Sequence, residues 1–436
     1  MSLIKSYQIL KSYREDPLGY IMKLHQEQGH SMCLEVFGKK VFIISGPEDI
    51  IHVLKTNNSA YTKGRTTQAM KKLMGNGLVT NEGDSWRKQH RLIRPMMNIK
   101  SVYELSPRVL ESTLEFIEEL TKKKKINAFT EMNQLTWRIV LKALFSQEVN
   151  EEMMDWLDDI LHFLHLVTKK TRSAVPIPYW IPTEDNLRLR KILKKFDAYV
   201  YGLISDRRKS DKKNDLIQLL IDAHEEGTSP MSDREIRDEI MTFMMAGHET
   251  ITNTMSWMMI ELAKNPHYKD KLIPEAENFF KDKNYEALNS APWHSAVTDE
   301  VMRLWPPIWV YMRHAQEDDQ LKDLKIPKGA SVVVAPYVSQ RSKDFWENPE
   351  KFHPERFFPA EKKKIIPGSY YPFGLGPRAC IGAHFAGMES KIILASLIHH
   401  FDWTIINEKP QTSEAGLSLR PLSNVMMEVT RRKHES

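Results

Sequence analysis

Cysteine is nearly absent from this chain of 436 residues, which holds two, Cys33 and Cys380. Two thiols cannot build a disulfide framework, and they are too few for a thiolate-only zinc site or an iron–sulfur cluster. Charge of one sign is also scarce: 62 Lys+Arg against 57 Asp+Glu leave a formal +5. A chain that lives on nucleic acid usually carries a larger, clustered excess. The basic runs Lys122–Lys125 and Lys362–Lys364 therefore read as solvated faces. Long apolar runs are lacking too. The N-terminal MSLIKSYQILKSYREDPLGY has no apolar stretch of signal-peptide length and no small-residue cleavage site, so neither a leader nor a membrane anchor is expected. A membrane span needs about 18 or more predominantly apolar residues. Residues 239–263 come nearest, but His248, Glu249, Thr250 and Asn253 interrupt them, and a buried central helix is the better reading. The expected location is cytoplasmic and reducing, where a well-placed thiolate persists.

What is present points to a folded, mainly α chain. Hydrophobic residues make up 41% and charged residues 27%, which excludes general disorder. Length alone allows two to three domains at about 150 residues each. MCLEVFG (32–38) and KVFIIS (40–45) flank a Gly-Lys-Lys turn and predict a β-hairpin. From Ser85 to about residue 280 apolar residues recur at three and four, as in 108–120 and 154–167. The prolines of AVPIPYWIPT (174–183) make a loop, and Thr183 starts another helix. Ser232 and Glu235 form a capping box ahead of a helix that should stop before Pro266. A further helix runs from near Ser290 to Trp305, a strand covers 331–338, and a final helix spans about Ala383 to His400.

The stretch YYPFGLGPRACIGAHFAGMES (370–390) is the most informative. Gly374, Gly376 and Gly382 surround Cys380, with Pro372 and Pro377 shaping the turns. Glycine at this density lets backbone approach a partner closely. The helix that follows places amide N–H groups beside the sulfur, and Arg378 adds positive charge, so both favour a thiolate. One anionic sulfur presented to a flat partner suits an axial ligand to haem iron. A structural cysteine in a turn is the plain alternative for the residue taken alone.

Phe373, Gly376, Arg378, Cys380 and Gly382 stand in the order F-x-x-G-x-R-x-C-x-G, which resembles the haem-binding signature of the cytochromes P-450. Ala246-Gly247-His248-Glu249-Thr250 resembles that family's oxygen-activation motif. Glu300 and Arg303 match its Glu-x-x-Arg helix, and Arg356 in HPERF stands where the family places a third partner. The motifs follow the family's order over effectively the whole chain. The resemblance implies one cytochrome P-450 domain over 1–436. In it, a small β-rich lobe (about 30–60 and 308–340) accompanies a helical lobe (about 85–305 and 383–400), with haem between the long helix and the cysteine loop.

The resemblance also implies roles. Cys380 is the axial ligand of haem b, with Phe373 and Gly382 beside it in the binding loop. Trp86, His90, Arg313 and Arg378 contact the haem or its propionates, with Arg91 a competitor for the place of His90. Glu300, Arg303 and Arg356 form a structural triad. Glu249 relays protons, and Thr250 offers its hydroxyl in a groove that a helix kink opens for O2, with His248 and Thr252 as packing or relay neighbours. Phe243, Ala246, Thr250, Ile308, Trp309 and Val310 line a substrate pocket by position, and their apolar character predicts a hydrophobic substrate. The runs 174–204 and 300–315 look most like soluble bacterial members related to fatty-acid hydroxylases.

The expected activity is a haem-thiolate monooxygenase that hydroxylates or epoxidises with one atom of O2. About 36 residues follow the last helix, which leaves no room for a flavin or iron–sulfur domain. Electrons from NAD(P)H are therefore expected through a separate ferredoxin or flavodoxin and its reductase. A haem-thiolate peroxygenase or isomerase is the first alternative, argued against by Glu249-Thr250. A non-catalytic haem sensor is the second; it would have no need for the proton relay or for a partner-docking face. Cys33 is expected in the core.

Overall fold

The structure, a computed structural model, describes residues 3–171, 177–223, 230–407, 413–422 and 424–433. The chain forms two compact units: 1–68, 299–380 and 417–419 make a β-rich one, and 69–298, 381–416 and 420–436 a helical one.

In the β-rich unit five strands, β1 (Ser31–Val36), β2 (Lys39–Ile44), β3 (Tyr61–Lys63), β4 (Tyr311–Ala315) and β5 (Ser331–Val334), form one sheet in the order β1-β2-β5-β4-β3. β2 and β5 run parallel, and the other neighbours are antiparallel. The hairpin turn lies at Phe37-Gly38, earlier than the expected Gly-Lys-Lys, because both residues take positive φ (50° and 72°). A two-residue turn of that hand matches the right-handed strand twist, which frees Lys39 and Lys40 to pair with Val36 and Glu35. Ile44, Ile50, Val53, Val332 and Val334 are wholly buried beneath the sheet. Cys33 is not core as expected: it lies exposed on edge strand β1, one residue from buried Met32, because side chains alternate between faces. The strand expected over 331–338 ends at Val334, and a short helix Pro336–Ser339 follows, since proline cannot donate to the ladder.

The helical unit is built around the helix Asp233–Lys264, 32 residues long. Its start is set by the Ser232/Glu235 capping box, in which each side chain bonds the other's backbone N–H. Ala128–Ile139 packs along it. Thr136 and Thr252 share a 2.7 Å hydroxyl bond there, and the indole N–H of Trp403 donates to the Met259 carbonyl at 2.9 Å. The segment ahead of Trp86 is tied to the same helix. Asp238 accepts from the Asn76 amide at 2.7 Å, and Glu239 accepts from the Leu78 amide at 3.1 Å. A Cβ on Gly77 would stand 2.5 Å from the Asp238 carbonyl oxygen, so only glycine permits this approach.

Ser106–Leu120, Glu151–Thr171, Glu184–Lys209 and Ala383–His400 complete the main helices where periodicity places them. Thr183 caps the third of these through the Asn186 amide. Of the expected loop 174–183, residues 174–176 lie outside the described residues. Among the described residues no helix is long and apolar enough to cross a membrane.

Candidate functional site

The cysteine loop belongs to the β-rich unit up to Cys380. Its conformation follows from two glycines in the left-handed region, Gly374 (φ 76°) and Gly376 (φ 69°). At Gly376 a Cβ would lie 2.3 Å from the Leu54 carbonyl oxygen, so glycine is obligatory. The turn closes on itself: the Gly374 amide donates to Tyr371, the Ala379 amide to Gly376, and the Cys380 amide to the Phe373 carbonyl at 2.7 Å. The result leaves Cys380 and Ala379 exposed and Phe373 and Arg378 half-buried. Gly382 then caps the helix Ala383–His400 with no side chain involved, so nothing on this chain's own cap competes for the first-turn amides.

Behind the loop lies a polar network that sequence reading saw only in part. Glu300 and Arg303, both 0% exposed, form a two-pronged pair at 2.7 and 2.9 Å. Arg356 approaches the same carboxylate at 3.5 Å, and the His353 amide donates to it at 2.8 Å. The three residues named from sequence thus meet. Arg303 also donates to the carbonyls of Gln340 and Pro349, each at 2.8 Å, and its guanidinium lies 5.0 Å from the Trp346 ring. Gln340 carries the connection onward. Its amide nitrogen donates to the Met302 and Arg303 carbonyls, and its oxygen accepts from the Tyr371 amide at the root of the cysteine loop. Tyr371 in turn meets the Ser339 hydroxyl at 3.0 Å. Gln340, Ser339 and Trp346 carry no motif and were missed; Tyr371 stood in the quoted string without a role.

Tyr311 was also missed. Its hydroxyl lies close to Gly374, the nearest atom a Cβ there would meet. Burial pushes its pKa above the ordinary tyrosine value, and a charge on Cys380 adds to that, while Arg313 opposes it. Arg313, two residues on in β4, stands 5.9 Å from the Tyr311 ring and is half-buried.

In the helical unit, every residue of the long helix from Ile236 to Leu262 is buried except Ala246, Gly247, Glu249 and Thr250. Positions 246, 249 and 250 share one face. Between Ile236 and Leu262 the helix thus opens only at the acid–threonine motif. The helix runs unbroken through Gly247, so the helical assignment has no gap where a kink was expected. A Cβ on Gly247 would meet only Val140, at an ordinary 3.6 Å. Packing therefore does not demand that glycine. The Thr250 hydroxyl donates to the Ala246 carbonyl at 2.8 Å, holding the side chain on the open face.

His248 points the other way. It bonds the Asn133 carbonyl at 3.1 Å and meets Trp137 edge-on, and burial lowers its pKa to about 4, so it is a neutral packing residue. Thr252 likewise packs, through Thr136.

Trp86 and His90 lie one turn apart on Gly83–Ile93 with ring centroids 4.9 Å apart. Their ring planes are tilted by 33°, and Arg91 is exposed beside them. Of the proposed substrate contacts, Ala246 is exposed, Ile308 and Val310 are half-exposed, and Phe243 is 8% exposed. Trp309 is 2% exposed and, with Val310, borders a small void beside Leu18, Ile21 and Val338.

The profile of the family Cytochrome P450 matches residues 4–428. The chain belongs to the cytochrome P450 family. Cyclooctatin synthase of Streptomyces melanosporofaciens is 28% identical over 93% of this chain and 90% of its own length. Protein LUTEIN DEFICIENT 5, chloroplastic, of Arabidopsis thaliana is 28% identical over 91% of this chain and 71% of its own. Human cytochrome P450 4V2 is 24% identical over 94% and 85%. The crystal structure of the cytochrome P450DA haem domain superposes with a TM-score of 0.88 at 22% identity, covering 96% of this chain and 93% of that one, which shows the P450 fold. The protein is therefore a P450 monooxygenase of mainly α fold.

The residues present fit a haem. Among the described residues the one group of three ligating side chains close enough to hold a bare ion is His25, His30 and Asp344, and Cys380 is not among them. A metal bound by the exposed Cys380 would therefore need its other donors from a group that brings them along. That is the situation of an axial thiolate on a macrocycle.

Proposed function

We propose that this P450 is a haem-thiolate monooxygenase in which Cys380 ligates haem b and the Glu249–Thr250 face receives O2. The observation that carries it is the pair of openings in otherwise buried structure: an exposed Cys380 on a glycine-shaped loop, and a helix buried from Ile236 to Leu262 except at Ala246, Gly247, Glu249 and Thr250. Bound haem supplies the redox chemistry, with O2 as cosubstrate and one of its atoms transferred to the substrate. The chain's own residues do the rest. Phe373 holds the cysteine turn through its carbonyl, and the first-turn amides after Gly382 together with Arg378 favour the thiolate. Trp86, His90, Arg313 and Arg378 offer donors and cations suited to propionates. Thr250, anchored on the Ala246 carbonyl, presents a hydroxyl on the open face, and Glu249 beside it can pass protons inward. The Glu300–Arg303–Arg356 knot braces the loop through Gln340 and Tyr371.

Ala246, Phe243, Ile308 and Val310 favour a small hydrophobic substrate undergoing hydroxylation or epoxidation. With only Cys33 besides Cys380, the chain cannot ligate an iron–sulfur cluster of its own. A ferredoxin or flavodoxin with its reductase, drawing on NAD(P)H, is the reading for a cytoplasmic enzyme.

The test is spectroscopic. The carbon monoxide complex of the reduced protein should show the red-shifted Soret band of thiolate-ligated haem. Cys380→Ser should abolish it, and Cys33→Ser should leave it intact. A band typical of imidazole ligation in the unmodified protein would falsify the assignment. Thr250→Ala should raise peroxide release at the expense of product; unchanged coupling removes Thr250 from the relay and favours the peroxygenase reading.

A further inference from the structure

We propose that His25, His30 and Asp344 form a binding site for a divalent transition-metal ion of the zinc type, separate from the haem chemistry. All three belong to the β-rich unit, and one ligating atom of each lies within 4.8 Å of the other two. Donors about 2.0–2.2 Å from one tetrahedral ion stand about 3.3–3.6 Å from each other. Small side-chain rotations therefore close the set. Two imidazole nitrogens and one carboxylate oxygen, with a water in the fourth position, make a donor set that zinc accepts.

The groups are already oriented. His25 ends the helix Pro17–Gln28 and is 9% exposed. Its Nδ1 lies 3.1 Å from the Gly29 carbonyl, a contact that calls for a proton on Nδ1 and leaves the Nε2 lone pair facing Ser342 Oγ at 3.3 Å. A backbone carbonyl fixing the tautomer of a ligating histidine is the usual outer-shell arrangement of metal sites. His30 stacks on Phe345, with centroids 4.7 Å apart, and its Nε2 lies 2.9 Å from Asp344 Oδ2. Its Nδ1 is buried with no hydrogen-bond partner, so the ring's binding capacity is directed to the Nε2 side.

A plain His30–Asp344 ion pair would not explain the third group. The His25 and His30 rings are 4.9 Å apart, which is unfavourable for two cations. The side chains of His30 (32% exposed) and Asp344 (66%) leave an approach from solvent.

An ion here would tie the N-terminal helix to the segment after Gln340, the residue that links Arg303 to the cysteine loop. The site is thus a structural clamp, and it predicts metal-dependent stability without any change at the haem.

The experiment uses the full-length haem-loaded protein with its affinity tag removed, stripped by chelator and dialysed against micromolar Zn²⁺. Elemental analysis should find about one zinc per chain beyond the iron. His30→Gln and Asp344→Asn should each weaken uptake about 10–100-fold. Zinc should raise the melting temperature of the unmodified protein and leave that of the variants unchanged, with the Soret band constant throughout. Asp344→Asn alters an exposed side chain and carries the test if His30→Gln folds poorly. Absence of stoichiometric zinc, equal uptake by the variants, or a zinc-induced Soret change would each overturn the proposal.

Discussion

Two glutamates of this P450 are equally buried and oppositely treated. Glu300, at the end of the helix Pro292–Leu304, sits between Arg303 and Arg356 and also accepts the His353 amide. Glu389, in the helix after the cysteine loop, is 0% exposed and neither carboxyl oxygen has a hydrogen-bond partner. Its pKa is raised well above the ordinary value by burial alone. One carboxyl has cations and an amide beside it, and the other has nothing to offset its burial. The lesson is that equal burial has unequal consequences once partners are counted.

The comparison can be broken from either side. The largest effect is expected from Glu300→Gln, which leaves Arg303 buried without its anion. Breaking such a pair costs about 3–5 kcal/mol, read as a large fall in melting temperature together with loss of bound haem. A drop under about 1 kcal/mol would mean that the backbone carbonyls around Arg303 suffice. Next, Gln340→Leu removes the link to the Tyr371 amide and should cost about 1–3 kcal/mol, with a weaker thiolate-type carbon monoxide band at equal haem content. Arg356→Ala removes the looser 3.5 Å contact, and with Arg303 still in place about 1 kcal/mol is expected by chemical denaturation.

An effect that starts smallest at acid pH, and of opposite sign, belongs to Glu389→Gln. As pH rises above the ordinary carboxyl range, the unfolded chain loses the Glu389 proton while the folded chain keeps it. The glutamate form therefore loses stability with rising pH, at no more than about 1.4 kcal/mol per pH unit. The amide does not titrate. The variant should come closest to the unmodified protein at about pH 4 and become relatively more stable towards pH 8. A difference that does not change with pH would show that Glu389 keeps an ordinary pKa.

Much of this was legible in the chain. The capping box placed the start of the long helix at Asp233, and the glycine and proline spacing marked the cysteine loop, because caps and turns are local physics. The pairing of Glu300 with Arg303 is three residues of helix geometry. Arg356 joined them only through family resemblance. Gln340 and Tyr311 were not legible, since each acts through neighbours far along the chain. Cys33 was misjudged because strand alternation decides which way a side chain faces. The hairpin turn moved to Phe37-Gly38 because strand twist, not the run of turn-forming residues, selects it.

The sequence by itself determined the family, the cysteine with its loop, and the acid–threonine step on the central helix. Those depend on residue types at short, fixed spacings. Only the tertiary structure decided that the helix between Ile236 and Leu262 opens at Ala246–Thr250 alone, that Gln340 couples the arginine knot to the cysteine loop, and that His25, His30 and Asp344 converge. Burial and long-range contact are properties of packed surfaces, and no local pattern encodes them.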